Sequence, residues 1–437
     1  MLAVLGFLMV ITFMHLILSK RLSPFVALII VPVVFGIFGG FGLELSGFIM
    51  EGIVNIAPTA LLIMFAILYF GIMLDVGLFD PLINYILKLV KGDPLKVVVG
   101  SAILPGIVGF DGDGSTTMMI CVTPFLPLYL RLGLNPLILA SLTIMQIGIT
   151  TLVPWGGPVG RVASVLQLDP TNLYIALLPG MIVNLFFVVF VAYIIGKRER
   201  ARLGIGNERV ERKAQEEQAS AVDTGYHTPS HLKRPQLFWL NLCLTLVIMV
   251  SIVLDWIPSA VLFIIGTALA LLINYPSLED QRKRMAAHGS NALAVGCTIF
   301  AAGIFTGIFK GTTMSDAMAQ SLIAIIPEAL GAHLPIVTAL LSAPGLFFLG
   351  PDAFYFGILP VLTETAATYG ISAMEMGTAS LYGTPFGVMG PLVASVYLLV
   401  GMVGISLGDL HKNTVKLACM IMVIYILLGL LLGHISL

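Results

Sequence analysis

Charged residues are scarce in this sequence. Of its 437 residues, 45 are Asp, Glu, Lys or Arg, which is 10% against about 25% in soluble globular proteins. A soluble enzyme of this length, a nucleic-acid-binding protein and a disordered chain all need more polar surface than this. Apolar residues make up 58% without the alternation of a transmembrane β-barrel, so the composition predicts an all-α polytopic membrane protein.

Cysteine is equally scarce. The four cysteines lie far apart in apolar segments, with no spacing typical of a metal site or a disulfide framework: Cys121, Cys243, Cys297 and Cys419. We therefore expect free thiols and no covalent cofactor. Catalytic patterns such as H-E-x-x-H and G-x-S-x-G are missing as well, so we expect no enzyme.

The few charges that exist are concentrated in one stretch. Residues 197–235 hold 15 of the 45 charges, nine basic and six acidic, which predicts a cytoplasmic linker between two membrane halves, 1–196 and 236–437. Ten apolar spans surround it, near 2–18, 24–40, 56–74, 135–168, 173–196, 237–254, 258–274, 291–309, 375–403 and 414–434. Two of them are too long for one helix and are interrupted by Pro and Gly, near 154–158 and 384–391, which predicts broken helices at mid-membrane.

Two further segments, 95–130 and 333–363, have polar, glycine-rich centres. We interpret both as re-entrant hairpins that enter and leave the membrane on the same side. Placing both termini outside then puts 20 of the 22 basic residues on the cytoplasmic side, as the positive-inside rule requires, and leaves out only Arg161 and Lys310. This pattern predicts a multi-pass protein of the cytoplasmic membrane with its linker inside.

The two halves also resemble each other in order. Residues from Gly92 to Asp113 match residues from Gly331 to Asp352 at an offset of 239, and Pro154, Gly156, Ala163 and Ser164 match Pro385, Gly387, Ala394 and Ser395 at an offset of 231. Five crossings per half is an odd number, so the second repeat must be inverted. Inverted repeats with broken helices are typical of secondary transporters, where unwound backbone lines a binding cavity.

Charged residues at membrane depth need a function to justify their cost, which is roughly 2.5–3.5 kcal/mol for one Asp. The alternative is a hairpin end that emerges into water, where Asp-Gly is ordinary turn chemistry. We favour a site for a coupling ion, a proton or a substrate-bound metal, and assign to it Asp111, Asp113, Asp352, Thr151 and Trp155.

Hydroxyls, open backbone and one buried cation are suited to an organic anion. We assign to substrate binding the residues Ser115, Thr116, Thr117, Gly156, Gly157, Arg161, Thr384, Pro385 and Gly387. Arg161 has three open interpretations: a bidentate clamp on a substrate carboxylate, snorkelling outward toward the membrane surface, or an ion pair with an aspartate. Asp75 and Asp80 are expected to be solvated.

Six runs carry a family resemblance: FAILYFGIMLDVGLFDPL (65–82), KGDPLKVVVG (91–100), DGDGSTT (111–117), PWGGPVGRVAS (154–164), PDAFYFGILPVL (351–362) and GPLVASVYLLVG (390–401). The chain resembles the citrate–divalent-metal/proton symporter family (CitMHS) of the ion transporter superfamily. The resemblance implies a scaffold and a transport domain, a homodimer, and elevator-type alternating access. It implies a cargo of citrate chelated to Mg²⁺ or Ca²⁺, moved with H⁺ or Na⁺.

The second broken helix departs from the family, which carries other polar residues where this chain has Thr384, Gly387 and Gly390. A symporter of a smaller, unchelated organic anion therefore stays an alternative. A cation/proton antiporter of the same fold, in which the aspartates bind ions alone, is a second one.

Overall fold

A computed structural model describes residues 1–90, 92–203, 231–254, 256–323 and 331–436, and within these ranges the secondary structure is helical, with no strand. The first half contains α1 Leu2–Leu18, α2 Pro24–Phe38, α3 Leu45–Asp75, α4 Asp80–Val90, α5 Pro94–Val108, α6 Gly114–Leu132, α7 Pro136–Thr150, α8 Gly157–Leu166 and α9 Pro170–Arg202. The second half contains α10 Phe238–Val253, α11 Ser259–Asn274, α12 Leu278–Gly311, α13 Met314–Ile323, α14 Leu334–Pro344, α15 Gly350–Ala353, α16 Leu359–Ala367, α17 Ala373–Leu381, α18 Thr384–Gly387, α19 Ala394–Val403 and α20 Leu407–Leu431.

Seven helical segments among the described residues are long and apolar enough to cross a membrane, and five shorter helices are also apolar. The predicted all-helical, polytopic class is therefore confirmed. Two helices begin earlier than the sequence predicted. Helices α3 and α12 begin 11 and 13 residues before the predicted apolar spans, because backbone hydrogen bonding continues through the polar first turns of α12 and through first turns of α3 that mix apolar residues with Ser46, Gly47, Glu51 and Gly52.

The predicted linker is shorter at its start, since α9 continues to Arg202. Its residues 204–230 lie outside the described part of the chain.

Helix starts in the first half follow from local chemistry. Helices α5, α7 and α9 each begin with an Asp or Asn whose side chain accepts a backbone N–H, followed at once by proline: Asp93-Pro94, Asn135-Pro136 and Asp169-Pro170.

Helices α3 and α12 form the tightest long crossing in the molecule. A Cβ placed on Gly52 would lie 2.1 Å from the carbonyl oxygen of Gly303, and one on Gly307 would lie 2.3 Å from the carbonyl oxygen of Phe48. Small residues allow backbones to approach this closely, as in membrane helix pairs generally. We call α3 and α12 the scaffold pair.

Each of the two glycine-rich segments reverses the direction of the chain. In the first, α5 and α6 run back along each other, and the hydroxyls of Ser101 and Tyr129 lie 2.7 Å apart. In the second, the chain turns at Gly350, whose φ is +80°. The two ends of this segment meet, since Gly331 lies against Tyr369. We call residues 109–117 tip one and 350–355 tip two. Re-entry on one side of a membrane, and the inverted relation of the two halves, stay predictions.

Candidate functional site

Tip one holds its two carboxylates with local hydrogen bonds. Asp111 Oδ1 accepts from the backbone N–H of Asp113 at 3.0 Å and from Thr117 Oγ1 at 3.1 Å. Asp113 caps α6, accepting from the N–H of Ser115 at 3.1 Å and from the hydroxyl of Thr116. Asp111 is only 5% exposed, and its Oδ2 has no hydrogen-bond partner among the described residues. A buried carboxylate oxygen without a donor is an incomplete site that a proton or another cation would complete.

The first broken helix closes over this tip. Helix α7 ends at Thr150 and α8 begins at Gly157, so the interruption covers residues 151–156. Trp155 Nε1 donates to the carbonyl of Phe110 at 3.0 Å. The indole also stacks on Phe70, with ring centroids 5.6 Å apart, and meets Phe263 edge-on at 5.0 Å. Because indole nitrogen is a donor only, Trp155 positions tip one rather than ligating a cation through that atom.

The second interruption is longer. Helix α17 ends at Leu381 and α19 begins at Ala394, with the single turn α18 between them. The hydroxyl of Thr384 donates to the carbonyl of Leu381 at 2.6 Å. The two broken helices meet where a Cβ on Gly148 would lie 3.0 Å from Pro385 Cα. The last turns of α7 therefore pack directly against the second interruption.

Arg161 on α8 reaches tip two. Its Nε donates to Asp352 Oδ1 at 2.7 Å, and its Nη1 donates to the carbonyl of Gly157 at 3.1 Å. The side chains are 28% and 25% exposed, so water and solutes in the adjoining space can reach both charges. Of the three interpretations open from the sequence, the ion pair with an aspartate is the one observed.

A cavity of about 340 Å³ lies between the two tips and the two interruptions, and we call it the tip cavity. Eight predicted site residues line it: Asp113, Ser115, Thr151, Gly157, Arg161, Asp352, Thr384 and Gly387. Its size is within the range of small-molecule sites, roughly 300–1,000 Å³. It combines one cation, two carboxylates, five hydroxyls (those of Ser115, Thr151, Tyr355, Thr384 and Ser395) and the first turn of α8, whose N–H groups favour negative charge.

The other six predicted residues lie around the tip cavity rather than in its lining. Asp111, Thr116 and Trp155 line a second space behind tip one. Thr117 is fully buried beneath Asp111. Gly156 and Pro385 belong to the interruptions but line neither cavity. Their assignment to binding stays a prediction, and their visible contacts are with the backbone that shapes the site.

Several residues that line the tip cavity were not predicted from the sequence, because the candidates were chosen for their polar groups and open backbone. Tyr355 lines the tip cavity together with the apolar side chains of Leu346, Val388 and Leu392. One signal was available for Tyr355: it lies three residues after Asp352, the spacing that puts two side chains on one helical face. The apolar residues carry no such signal.

The apolar helices, interrupted at a shared polar cavity, define a multi-pass membrane transporter. The "Citrate transporter" family profile matches residues 13–383. A "Citrate transporter" of Bacillus subtilis (strain 168) is 49% identical, with all of both chains covered. A "Mg(2+)/citrate complex secondary transporter" of the same organism is 47% identical, covering 100% of this chain and 99% of the relative. The chain belongs to the citrate transporter family.

A solved structure supports the fold alone. The YdaH transporter of Alcanivorax borkumensis, described as having an unusual topology, aligns with a TM-score of 0.53 at 14% identity, over 88% of this chain and 87% of that one. The similarity places the helical arrangement among known transporter folds.

Proposed function

We propose that this protein is a secondary transporter that carries citrate as a complex with a divalent metal ion, driven by a proton gradient. The observation that carries the proposal is the Arg161–Asp352 ion pair, which lies in the wall of the tip cavity in a chain closely related to citrate and Mg²⁺–citrate transporters. A metal–citrate complex presents both signs of charge, and so does this pair.

Binding would then proceed by exchange of partners. The metal of the complex takes the carboxylate of Asp352, and a citrate carboxylate takes the guanidinium of Arg161, which can hold it bidentately. Every charge that loses a partner gains another, so no buried charge is left unpaired. Unchelated citrate supplies no cation, and it would leave Asp352 without a counter-charge. The exchange therefore favours the chelated cargo.

The remaining carboxylates of citrate would face donors. Ser115 brings a hydroxyl to the cavity, and Gly157 lines it at the first turn of α8, where the leading N–H groups of a helix have no partner within the helix. Thr151 and Thr384 also line the cavity, but their hydroxyls donate to the carbonyls of Ile147 and Leu381 and would have to leave them to bind an anion. The tip cavity thus offers a guanidinium, a hydroxyl and a helix N-terminus to an anion, and a carboxylate to a cation.

The coupling proton is assigned to tip one. Asp111 accepts two hydrogen bonds on Oδ1 and none on Oδ2 among the described residues. Protonation of Oδ2 would neutralise a carboxylate that is almost fully buried, and burial favours the neutral form. Asp113, which lines both the tip cavity and the space behind it, would link the state of Asp111 to substrate.

The wider architecture of the proposal has three parts. The two halves are inverted repeats, with the linker in the cytoplasm and both termini outside. The hairpins and broken helices form a transport domain that moves against the scaffold pair as an elevator. Two such chains assemble through their scaffolds. The separate packing of α3 on α12 through glycine backbones supports a rigid scaffold in this scheme.

Uptake into proteoliposomes tests the function. We expect labelled citrate to accumulate when Mg²⁺ and an inward proton gradient are both present, and little to enter when either is omitted. Gradient-driven uptake without metal would instead indicate an unchelated anion as cargo. Proton movement driven by cations in vesicles without any organic anion would indicate an antiporter.

A further inference from the structure

A second cavity of about 270 Å³ lies on the other side of tip one, between it and the scaffold pair. We call it the scaffold cavity. It shares Gly112, Asp113 and Gly157 with the tip cavity, so tip one forms the wall between them. Asp111 lines only the scaffold cavity. The protein therefore has a separate polar space that leads to the carboxylate assigned to the proton.

The far side of the scaffold cavity holds a cluster of three charged or titratable side chains. Asp75 Oδ2 accepts from Arg284 Nη1 at 3.1 Å and lies 2.8 Å from His288 Nε2. These side chains are 15%, 18% and 24% exposed, respectively. The expectation that Asp75 is solvated was wrong, because α12 begins early enough to bring both of its partners alongside the end of α3.

The backbone of α3 leaves room for the imidazole. A Cβ on Gly71 would lie 2.5 Å from the ring of His288, so the ring rests on α3 one turn before Asp75. Any larger residue at position 71 would displace the histidine from its carboxylate. The position of His288 thus depends on two features of α3, a carboxylate to bond and a gap to occupy.

We propose that Asp75 and His288 form a proton-exchange site that connects tip one to the scaffold end of the molecule. The inference rests on the proposed proton coupling. In each cycle Asp111 would release its proton into the scaffold cavity, neutral imidazole would take it to become imidazolium, and His288 would then lose it to the adjoining solution. No bond other than these O–H and N–H bonds changes.

Arg284 is what makes the exchange feasible. A guanidinium stays charged at every physiological pH, so Asp75 keeps a counter-charge whether His288 is protonated or neutral. The histidine can therefore gain and lose a proton without leaving a half-buried carboxylate unpaired. Imidazole is the side chain whose ordinary pKa lies nearest to neutrality, which suits repeated transfer.

The path between the two ends has polar groups among apolar side chains of α3 and α12, and it is wide enough for water. Thr116 and Asn291 line the scaffold cavity between tip one and His288. A space of about 270 Å³ exceeds many times the room that a single water needs, which is roughly 10–15 Å³ by the same measure. Hydrogen-bonded water can thus carry the proton between Asp111 and the imidazole.

Few other charges surround the cluster. Helix α2, which packs on α12, contains no titratable residue. Arg161 on α8 is bound to Asp352, and Asp316 on α13 interacts with Glu364 instead. Asp75 also acts electrostatically on Tyr275, as do Arg234, Arg284 and Asp280, and Asp111 and Asp113 lie across the cavity.

The test compares two modes of transport by full-length protein in proteoliposomes. Exchange of labelled for unlabelled Mg²⁺–citrate needs no net proton release, whereas net uptake driven by a proton gradient does. We expect His288→Gln to keep exchange within about twofold of wild type. Net uptake should fall by about tenfold or more, because a positioned proton carrier contributes roughly 100-fold or more to a rate. It should also lose its pH dependence between about pH 5 and 8.

Two further variants complete the design. His434→Gln removes a half-buried histidine that lines neither cavity and should leave both modes unchanged. Asp75→Asn preserves shape but removes the carboxylate that holds the imidazole in place, so it should lower net uptake while exchange stays within about twofold of wild type.

Three results would overturn the inference. The first is a His288→Gln variant with the pH profile and net uptake of wild type. The second is an equal loss of exchange and net uptake in both His288→Gln and Asp75→Asn, which would show a structural role. The third is wild-type uptake that ignores the proton gradient, which would reject the proposed coupling itself and the inference with it.

Discussion

The two tips differ in where their carboxylates find partners. At tip one, Asp111 and Asp113 are bonded within seven residues of chain, by the backbone and by neighbouring hydroxyls. At tip two, Asp352 is bonded to Arg161, which lies 191 residues away on α8. A locally bonded carboxylate can change its protonation with little movement, whereas a carboxylate in a long-range ion pair can exchange its partner. The comparison suggests a coupling role for tip one and a substrate role for tip two.

The largest effect should come from tip two. Asp352→Asn removes the carboxylate proposed to receive the metal and leaves Arg161 without its counter-charge. Truncating one partner of such a pair costs roughly 2–5 kcal/mol, so Mg²⁺–citrate uptake should fall at least about 30-fold in kcat/KM. Initial rates in proteoliposomes measure this. An uptake rate near that of wild type would show that tip two is only a turn.

A matched control exists in the same protein. Asp93 is a buried carboxylate that also faces an arginine, with Arg200 Nε 3.8 Å away, but it lines neither cavity. Asparagine caps a helix about as well as aspartate, so Asp93→Asn should retain uptake. Equal losses in both variants would indicate damage to folding rather than to the site.

The next effect should separate coupling from binding at tip one. Asp111→Asn cannot release a proton, so net uptake should lose its response to a proton gradient while Mg²⁺–citrate binding changes little. Asp113→Asn keeps the cap of α6 but removes a charge from both cavities, so it should impair binding and coupling together. Gradient-driven uptake and equilibrium binding, measured on each variant, decide between these outcomes. Net uptake that keeps its full dependence on the proton gradient in Asp111→Asn would show that Asp111 does not carry the coupling proton.

A smaller effect should follow from the shape of tip one. Gly112 has a φ of +81°, and a Cβ there would lie 2.8 Å from Trp155 Cδ1. Gly112→Ala therefore adds a clash to about 1–2 kcal/mol of left-handed strain, and uptake should fall by about tenfold. Gly40→Ala has the same strain, at a φ of +89°, but meets no atom within 4 Å. If both variants lose uptake equally, backbone strain and not the tryptophan contact is responsible.

The smallest effect should come from one hydroxyl. Ser115→Ala keeps the backbone N–H that Asp113 accepts and removes only a side-chain donor in the tip cavity. A net hydrogen bond is worth about 1 kcal/mol, so KM for Mg²⁺–citrate should rise by about fivefold with little change in kcat. A change in kcat alone would place this hydroxyl in the transport step instead.

The features that sequence reasoning reached are those determined locally. The helix class and the glycine turns at both tips follow from residues close together in the chain. The family followed from six ordered runs. The early start of α12 did not, because its first turns are polar, and an apolar window begins only where the helix becomes buried.

The residues of the candidate site were named from the sequence, but the contacts between them were not. Arg161, Asp113 and Asp352 were all identified, yet no local pattern shows that Arg161 contacts tip two. That contact needs α8 to pack against the second half of the chain. The cluster of Asp75, Arg284 and His288 was missed for the same reason, since it forms between two helices more than 200 residues apart.

We propose that the Arg161–Asp352 pair selects a chelated cargo by exchanging partners with it. Calorimetric titration of purified wild type and Asp352→Asn, with citrate alone and with citrate in excess Mg²⁺, measures this selection. We expect wild type to bind the complex at least about tenfold more tightly than citrate alone, a difference of roughly 1.4 kcal/mol, and Asp352→Asn to bind the two forms equally. A preference for Mg²⁺–citrate that survives unchanged in Asp352→Asn would contradict it.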